Sequence, residues 1–248
     1  NEAQVWDSIA YNAPYYLMVK SAGNSRDLNG PPVGETYWRR NASGTFVSAN
    51  RPAGISNNDS YDILSTVSTA KNILVVGAVN PITSVYSSSN DVVMSTFSSW
   101  GPTDDGRIKP DVVTDGVNVL STIGAANNAY DVYTGTSMAS PAAAGSLFLL
   151  QEHYSKLHAG TFMRSATLKG LAIHTANEAG LAPGPDYQYG WGLLNMQKAA
   201  AVITANNTTD LIQENVLNNG ATFSLPVIAS GNGTLSATIC WTDVKGTV

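Results

Sequence analysis

The sequence predicts an α/β fold, a mostly parallel sheet flanked by helices, followed by the start of an antiparallel β domain. Three observations predict it. The runs Tyr15-Tyr16-Leu17-Met18-Val19-Lys20 and Ile73-Leu74-Val75-Val76-Gly77-Ala78-Val79 are too continuously apolar to keep a wet face, the pattern of parallel strands covered on both sides. Helical patterns follow at about 137–156, 164–177 and 195–204. Past Asn206-Asn207-Thr208-Thr209 the period changes to two, in 222–228 and 235–241, which flank Gly231-Asn232-Gly233. This change of regime puts a boundary near 205–210 and divides the chain into 1–205 and 210–248.

The elements follow in order. Residues 4–13 carry Val5, Trp6, Ile9 and Ala10 at helical spacing, and the first apolar run then ends in the turn Ser21-Ala22-Gly23-Asn24. Residues 25–60 are rich in Gly, Pro, Asn and Ser, a surface excursion whose length within a domain points to function or mobility. Shorter strands around 91–94 and 117–122 flank the turn-rich 98–111. The helix from 137 has hardly any polar face through Leu150 and is expected to be core. In 235–241, Leu235, Ala237, Ile239 and Trp241 share one face and Cys240 takes the other. As the only cysteine, Cys240 forms no internal disulfide and reads as packing.

The 248 residues are enough for one large domain or two modest ones. Apolar content of 43% with a mean hydropathy of −0.05 fits a globular chain. Charged residues are only 12%, with Asn, Ser, Thr and Gly supplying the polarity, a balance that suits a secreted protein. A net charge of −5 without basic runs argues against nucleic acid or an anionic membrane as the main partner. No apolar run is long enough to span a bilayer. Asn1-Glu2-Ala3-Gln4 lacks the character of a signal peptide, so a leader is expected to have been removed or never present.

Chemistry concentrates in Thr134-Gly135-Thr136-Ser137-Met138-Ala139-Ser140-Pro141. Gly135 permits a close-packed entry, and Ser137 falls where unpaired helix-start N–H groups and the positive dipole end favour an anion. A Ser/Thr-capped helix with an early proline is the structural alternative. The octapeptide nevertheless resembles the nucleophile segment of the subtilisin-like serine proteases. Ser21-Ala22-Gly23-Asn24 resembles the same family's oxyanion segment, and Thr69–Ala78 its strand after the substrate-pocket loop. Phe97-Ser98-Ser99-Trp100-Gly101-Pro102, Gly106–Val112 and Tyr189–Asn195 match further family landmarks, in family order over roughly 4–204. The segment after 220 looks like the start of the β jelly-roll domain of one bacterial branch.

The resemblance implies a secreted serine endopeptidase that forms an acyl-enzyme on Ser137. The Asn24 amide and the Ser137 N–H would be the oxyanion donors, and Ser21, Ala22 and Gly23 one wall of the side-chain pocket. The partner it implies is a polypeptide substrate. The chemistry requires no cofactor. The family commonly binds structural calcium, for which Asn57-Asn58-Asp59-Ser60-Tyr61-Asp62 and Asp104-Asp105-Gly106 offer hard oxygens, with metal ligands unassigned. Asx-rich turns also simply bond to themselves. The lack of a His/Cys cluster argues against zinc.

The base is missing. His153 stands sixteen residues down the serine's helix, about 24 Å along the axis, and His158 is farther. His174 belongs to a later helix and is expected to stay more than about 10 Å away. None matches the catalytic-histidine segment, and no aspartate matches the orienting segment. In the family these precede the oxyanion segment, so the chain reads as a fragment whose partner is the missing N-terminal part of the same domain, inactive alone. Two readings stand beside this one: a non-catalytic secreted protein that keeps the fold and carries a β binding module, and an esterase, which lacks its Gly-x-Ser-x-Gly elbow. Two departures from the family pattern remain: Thr114-Asp115-Gly116 has lost a proline that would stiffen the turn, and Trp100 stands where a small or basic residue is usual.

Overall fold

β4 (Leu74–Val79) lies at the centre of the molecule, with all 6 of its residues buried. A strand with no wet face needs a neighbour along each edge and cover on each side. β1 (Val19–Ser21) runs parallel along one edge, from Val19 opposite Leu74 to Ser21 opposite Val76. β5 (Val112–Asp115) runs parallel along the other, from Val76 opposite Val112 to Val79 opposite Asp115. The computed structural model describes residues 2–28, 30–53, 61–228, 231 and 233–246.

Alternation along β4 sorts the core into layers. Leu74, Val76 and Ala78 face α2 (Thr136–Leu157), together with Val112. Val75 and the preceding Ile73 face Ala3, Ala22 and Ala70 on the side of α1 (Glu2–Asn12). α2 presents Ala139, Ala143, Leu147 and Leu150 as one buried stripe. The expectation of a wholly buried α2 does not hold: Phe148 is 74% and Leu149 64% exposed. The sheet, α3 (Ser165–Thr175) and α4 (Met196–Thr204) cover one side of the helix, and among the described residues nothing covers these two.

The first strand is shorter than its apolar run, because Tyr15 and Tyr16 are exposed and only Val19–Ser21 ladders. In α1 the buried residues are Ala3, Asp7 and Ala10, while Val5 and Ile9 face solvent. Asp7 is buried for a reason the periodicity did not carry. Its Oδ1 accepts the N–H groups of Lys71 and Asn72, both at 2.8 Å, and so pins the entry to β4.

The surface excursion contains a hairpin, β2 (Thr36–Arg40) antiparallel to β3 (Phe46–Asn50). A second hairpin, β6 (Val119–Thr122) with β7 (Tyr130–Tyr133), leads into α2. At the expected strand 91–94 there is instead a 3-10 turn, Ser89–Asp91, and one isolated bridge from Met94 to Val79. Asn195 caps α4 by accepting the Lys198 N–H at 2.9 Å. The Glu214 carboxylate caps α3 from downstream, accepting from the Arg164 N–H and the Thr167 hydroxyl.

Beyond Asp210 the described residues form no helix and no strand ladder. The antiparallel strands expected at 222–228 and 235–241 are therefore not formed, although the alternation is real. Leu235, Ile239 and Trp241 are exposed on one side. On the other, Thr238 meets His174, and Cys240 lies against Gly170. A strand's ladder needs a partner edge, and these segments have none among the described residues.

Three buried charges lock the layers together. Asp111 accepts the Val75 N–H and Lys109 Nζ on Oδ2, at 2.7 and 2.6 Å, and Lys169 Nζ on Oδ1 at 2.9 Å. Both ammoniums also donate to Ile73 O. Burial pushes the Lys109 ammonium down to about 7, opposed by the Asp111 carboxylate and reinforced by the neighbouring Lys169 charge. Burial alone would raise the Asp111 carboxyl, yet the two ammoniums outweigh it and hold it below its ordinary value.

The sign of the linkage follows. Lys109 titrates near 10.5 unfolded and about 7 folded, so between those values the unfolded chain holds more protons and stability climbs with pH. Chemical denaturation at pH 7 and pH 9 should show this rise, and Lys109→Met should flatten it. An unchanged slope in Lys109→Met would place its source elsewhere.

Candidate active site

β1 and α2 meet where the chain leaves the sheet, as expected for parallel strands, whose carboxyl ends gather the helix starts. Ala22 continues the ladder by donating to Val76 O at 2.9 Å, and the chain then turns through Gly23 and Asn24. Asn24 Oδ1 accepts the Thr136 N–H at 2.9 Å and the Thr136 hydroxyl at 2.7 Å. The Gly23 N–H in turn donates to Thr136 Oγ1 at 3.3 Å. With its oxygen saturated from one side, the carboxamide is fixed in rotation, and Asn24 Nδ2 has no protein partner among the described residues.

Nδ2 lies 3.2 Å from where a Cβ on Gly135 would stand, so a larger residue there would press on the amide. Gly135 precedes α2, whose first-turn donors are divided. Thr136 N–H goes to Asn24, Met138 N–H returns to Gly135 O at 2.9 Å, and Ser137 N–H has no partner among the described residues. Ser137 itself is exposed. Pro141 lacks the N–H that would close a helical bond to the Ser137 carbonyl. An exposed hydroxyl, an unused helix-start N–H and an oriented, unpaired amide therefore collect at one end of the sheet. Such a set can hold an oxyanion next to a nucleophile.

Gly135 N–H donates to Gly116 O at 2.8 Å, which ties the loop before α2 to the end of β5. The proline absent before Gly116 is replaced by an Asx turn, with Asp115 Oδ1 accepting the Val117 N–H at 3.0 Å. The residues expected to wall the pocket are partly committed elsewhere. Ser21 O accepts from Ser68 Oγ and Lys20 Nζ, and Ser21 Oγ also accepts from Lys20. Ala22 is fully buried. Hollows of about 450 Å3 beside His174, Lys198 and Asp210, and about 350 Å3 beside Gln4, Val5 and Ile9, are lined by none of residues 21–24 or 137.

No histidine joins the site. His153 Nε2 pairs with Thr204 Oγ1 at 2.9 Å and His174 Nδ1 with Thr238 Oγ1 at 2.9 Å. His158 stacks on Tyr154 with centroids 3.8 Å apart and meets Asn206 Nδ2 at 3.1 Å. All three tie helices to following chain. Trp100 also finds a role in packing: buried at 3% exposure, it lies under the Arg26 guanidinium, 4.4 Å from the ring centroid, with Tyr61 edge-on at 6.0 Å.

Of the described calcium candidates, Asp105 already spends its carboxylate within the protein. Asp105 is held to about 2 by its bonds to Arg107 Nε and Thr103 Oγ1, which occupy the carboxylate. Residues 57–60 lie outside the described residues, among which no group of three or more His, Cys, Asp or Glu could hold a metal.

The sequence pattern that defines the subtilase family matches residues 2–192. The chain belongs to the subtilase family. Over 75 residues, 30% of this chain, it is 44% identical to the C5a peptidase of Streptococcus pyogenes, of which the match covers 6%. Over 80 residues, 32% of this chain, it is 40% identical to the PII-type proteinase of Lactococcus lactis subsp. cremoris, of which the match covers 4%. The CspB protease of Clostridium perfringens superposes at a TM-score of 0.50 and 27% identity, over 64% of this chain and 32% of that one. The subtilase chain thus spans a small part of each relative's length. Its parallel sheet flanked by helices matches subtilisin-like structures.

Thr136 and Gly116 are contributions that sequence reading missed. Thr136 adjoins the serine in the motif, but its hydroxyl's partner lies 112 residues away. A Cβ on Gly116 would stand 2.8 Å from Gly135 O and 2.7 Å from Ala78 Cβ, both in packed surroundings. Gly116→Ala should therefore destabilise the chain by about 1–3 kcal/mol in denaturant titration. An effect below about 0.5 kcal/mol, the range of neutral surface changes, would contradict this close approach.

Proposed function

We propose that the parent protein is a serine endopeptidase that cleaves polypeptides through an acyl-enzyme on Ser137. The observation that carries this reading is the Asn24 carboxamide, oriented by Thr136 beside the start of the serine's helix with its Nδ2 left over. Ser137 Oγ attacks the scissile carbonyl. The developing oxyanion is taken by Asn24 Nδ2 and the Ser137 N–H, donors already in place before charge appears. Residues 21–23 form one wall of the pocket for the side chain before the scissile bond. The protein works in a secreted setting, a reading supported by its low charge content. Among the described residues no helix is long and apolar enough to cross a membrane.

The base and the carboxylate that orients it come from a segment outside residues 1–248. Supporting this are the histidines' engagement elsewhere and the open edge of β1. Among the described residues that strand has a neighbour on one edge only, and on α2 and α1 Phe148, Leu149, Val5 and Ile9 lie open. Residues 1–205 then form part of a catalytic domain and 210–248 the start of a β module whose outward row is Leu235, Ile239 and Trp241. The alternative is a non-catalytic subtilase-fold protein, favoured by the absence of a base near Ser137 among the described residues.

A fluorophosphonate probe applied to the intact parent protein separates the two. The enzyme labels, and Ser137→Ala abolishes labelling; well-folded parent protein that never labels is the non-catalytic form. Asn24→Ala should lower kcat by about 10²–10³, the loss known for such a donor in a subtilisin, another family member, with KM little changed. A rise in KM alone would remove Asn24 from the oxyanion site.

A further inference from the structure

Thr136 fixes the far end of the Asn24 side chain, but a side chain is aimed only as well as the backbone beneath it. β1 ends at Ser21, its last ladder bond comes from Ala22, and Asn24 sits on an exposed turn. The peptide planes on either side of it go to one residue. Ser99 N–H donates to Gly23 O at 2.8 Å, and Ser99 Oγ accepts the Ser25 N–H at 3.1 Å. Ser99 is completely buried, so it is itself immobile. Arg26 extends the same seam, donating its N–H to Phe97 O at 3.2 Å and Nη2 to Ser95 O at 2.7 Å.

We propose that Ser99 is a positioning residue for the oxyanion amide: it clamps the backbone on both sides of Asn24, so that Ser99 and Thr136 together leave Nδ2 one direction. Removing its hydroxyl keeps the bond to Gly23 O and frees the Ser25 N–H, which loosens one flank of the turn. Donors of this kind act only within about 0.5 Å of the productive position. This proposal rests on the proteolytic reading above. Ser98 provides a comparison within the same dipeptide. It is equally buried, and its Oγ accepts the Ala78 N–H at 3.0 Å, a bond to β4 that does not touch the turn.

In the intact parent enzyme, Ser99→Ala should lower kcat about tenfold with KM within about twofold, since small misplacements cost that much or more. In an Asn24→Ala background the same change should cost less than about twofold, because the group being positioned is gone. Ser98→Ala should leave kcat unchanged while losing a comparable hydrogen bond. Equal losses from Ser99→Ala with and without Asn24, no loss at all, or an equal loss from Ser98→Ala would each overturn the proposal. Should Ser99→Ala fail to fold, Ser99→Cys, which keeps a weaker acceptor, carries the same comparison. A parent protein with no turnover sinks the proteolytic reading alone. A crystal structure of Ser99→Ala still decides the clamp, which is overturned if Asn24 Nδ2 stays within about 0.5 Å of its wild-type place.

Discussion

Two hydrogen bonds from Thr136 to the Asn24 oxygen hold together parts of the chain that lie 112 residues apart. Everything around them is arranged to let those groups meet. β4 stands between β1 and β5 so that the turn after one strand and the loop after the other open at the same edge. The β5 side is closed through Gly116, whose carbonyl receives the Gly135 N–H and whose lack of a side chain admits that contact. The serine is thus reached from both flanks of the central strand. Its position belongs to the sheet order as much as to its own helix.

Small polar side chains perform work that regular ladders would do elsewhere. Asp7 pins the approach to β4, Ser98 takes a β4 amide, and Asp115 closes the turn that a proline would have stiffened. Asp111 goes further by serving a backbone amide and two ammoniums from different elements. Buried charges of this sort stabilise little in net terms but are costly to unpair. They fix which segments may neighbour one another, and here they fix β5 and α3 against the entry to β4.

Legibility in the sequence followed burial. β4 could be read because seven consecutive apolar residues leave it only one environment. The helices α1 to α4 could be read because helical spacing survives over several turns. β1 was overread, since tyrosines are apolar by composition yet keep a wet hydroxyl, and Tyr15 and Tyr16 remain outside. β5 went unseen, its two valines lying between a turn-rich stretch and an Asp-Gly pair. At the site, Ser137 and Asn24 stood out through their motifs. Thr136 and Ser99 did not, because each acts through a partner distant in sequence, and spacing carries no sign of it.

The seam at residue 240 has a chemical consequence. The chain's single thiol is half-covered where the last stretch crosses α3, and burial holds its pKa above the ordinary value, which lowers its share of reactive thiolate. Detaching that stretch returns the sulfur to water and restores its nucleophilicity. Alkylation of one atom therefore reports how firmly the tail is seated, without any introduced label.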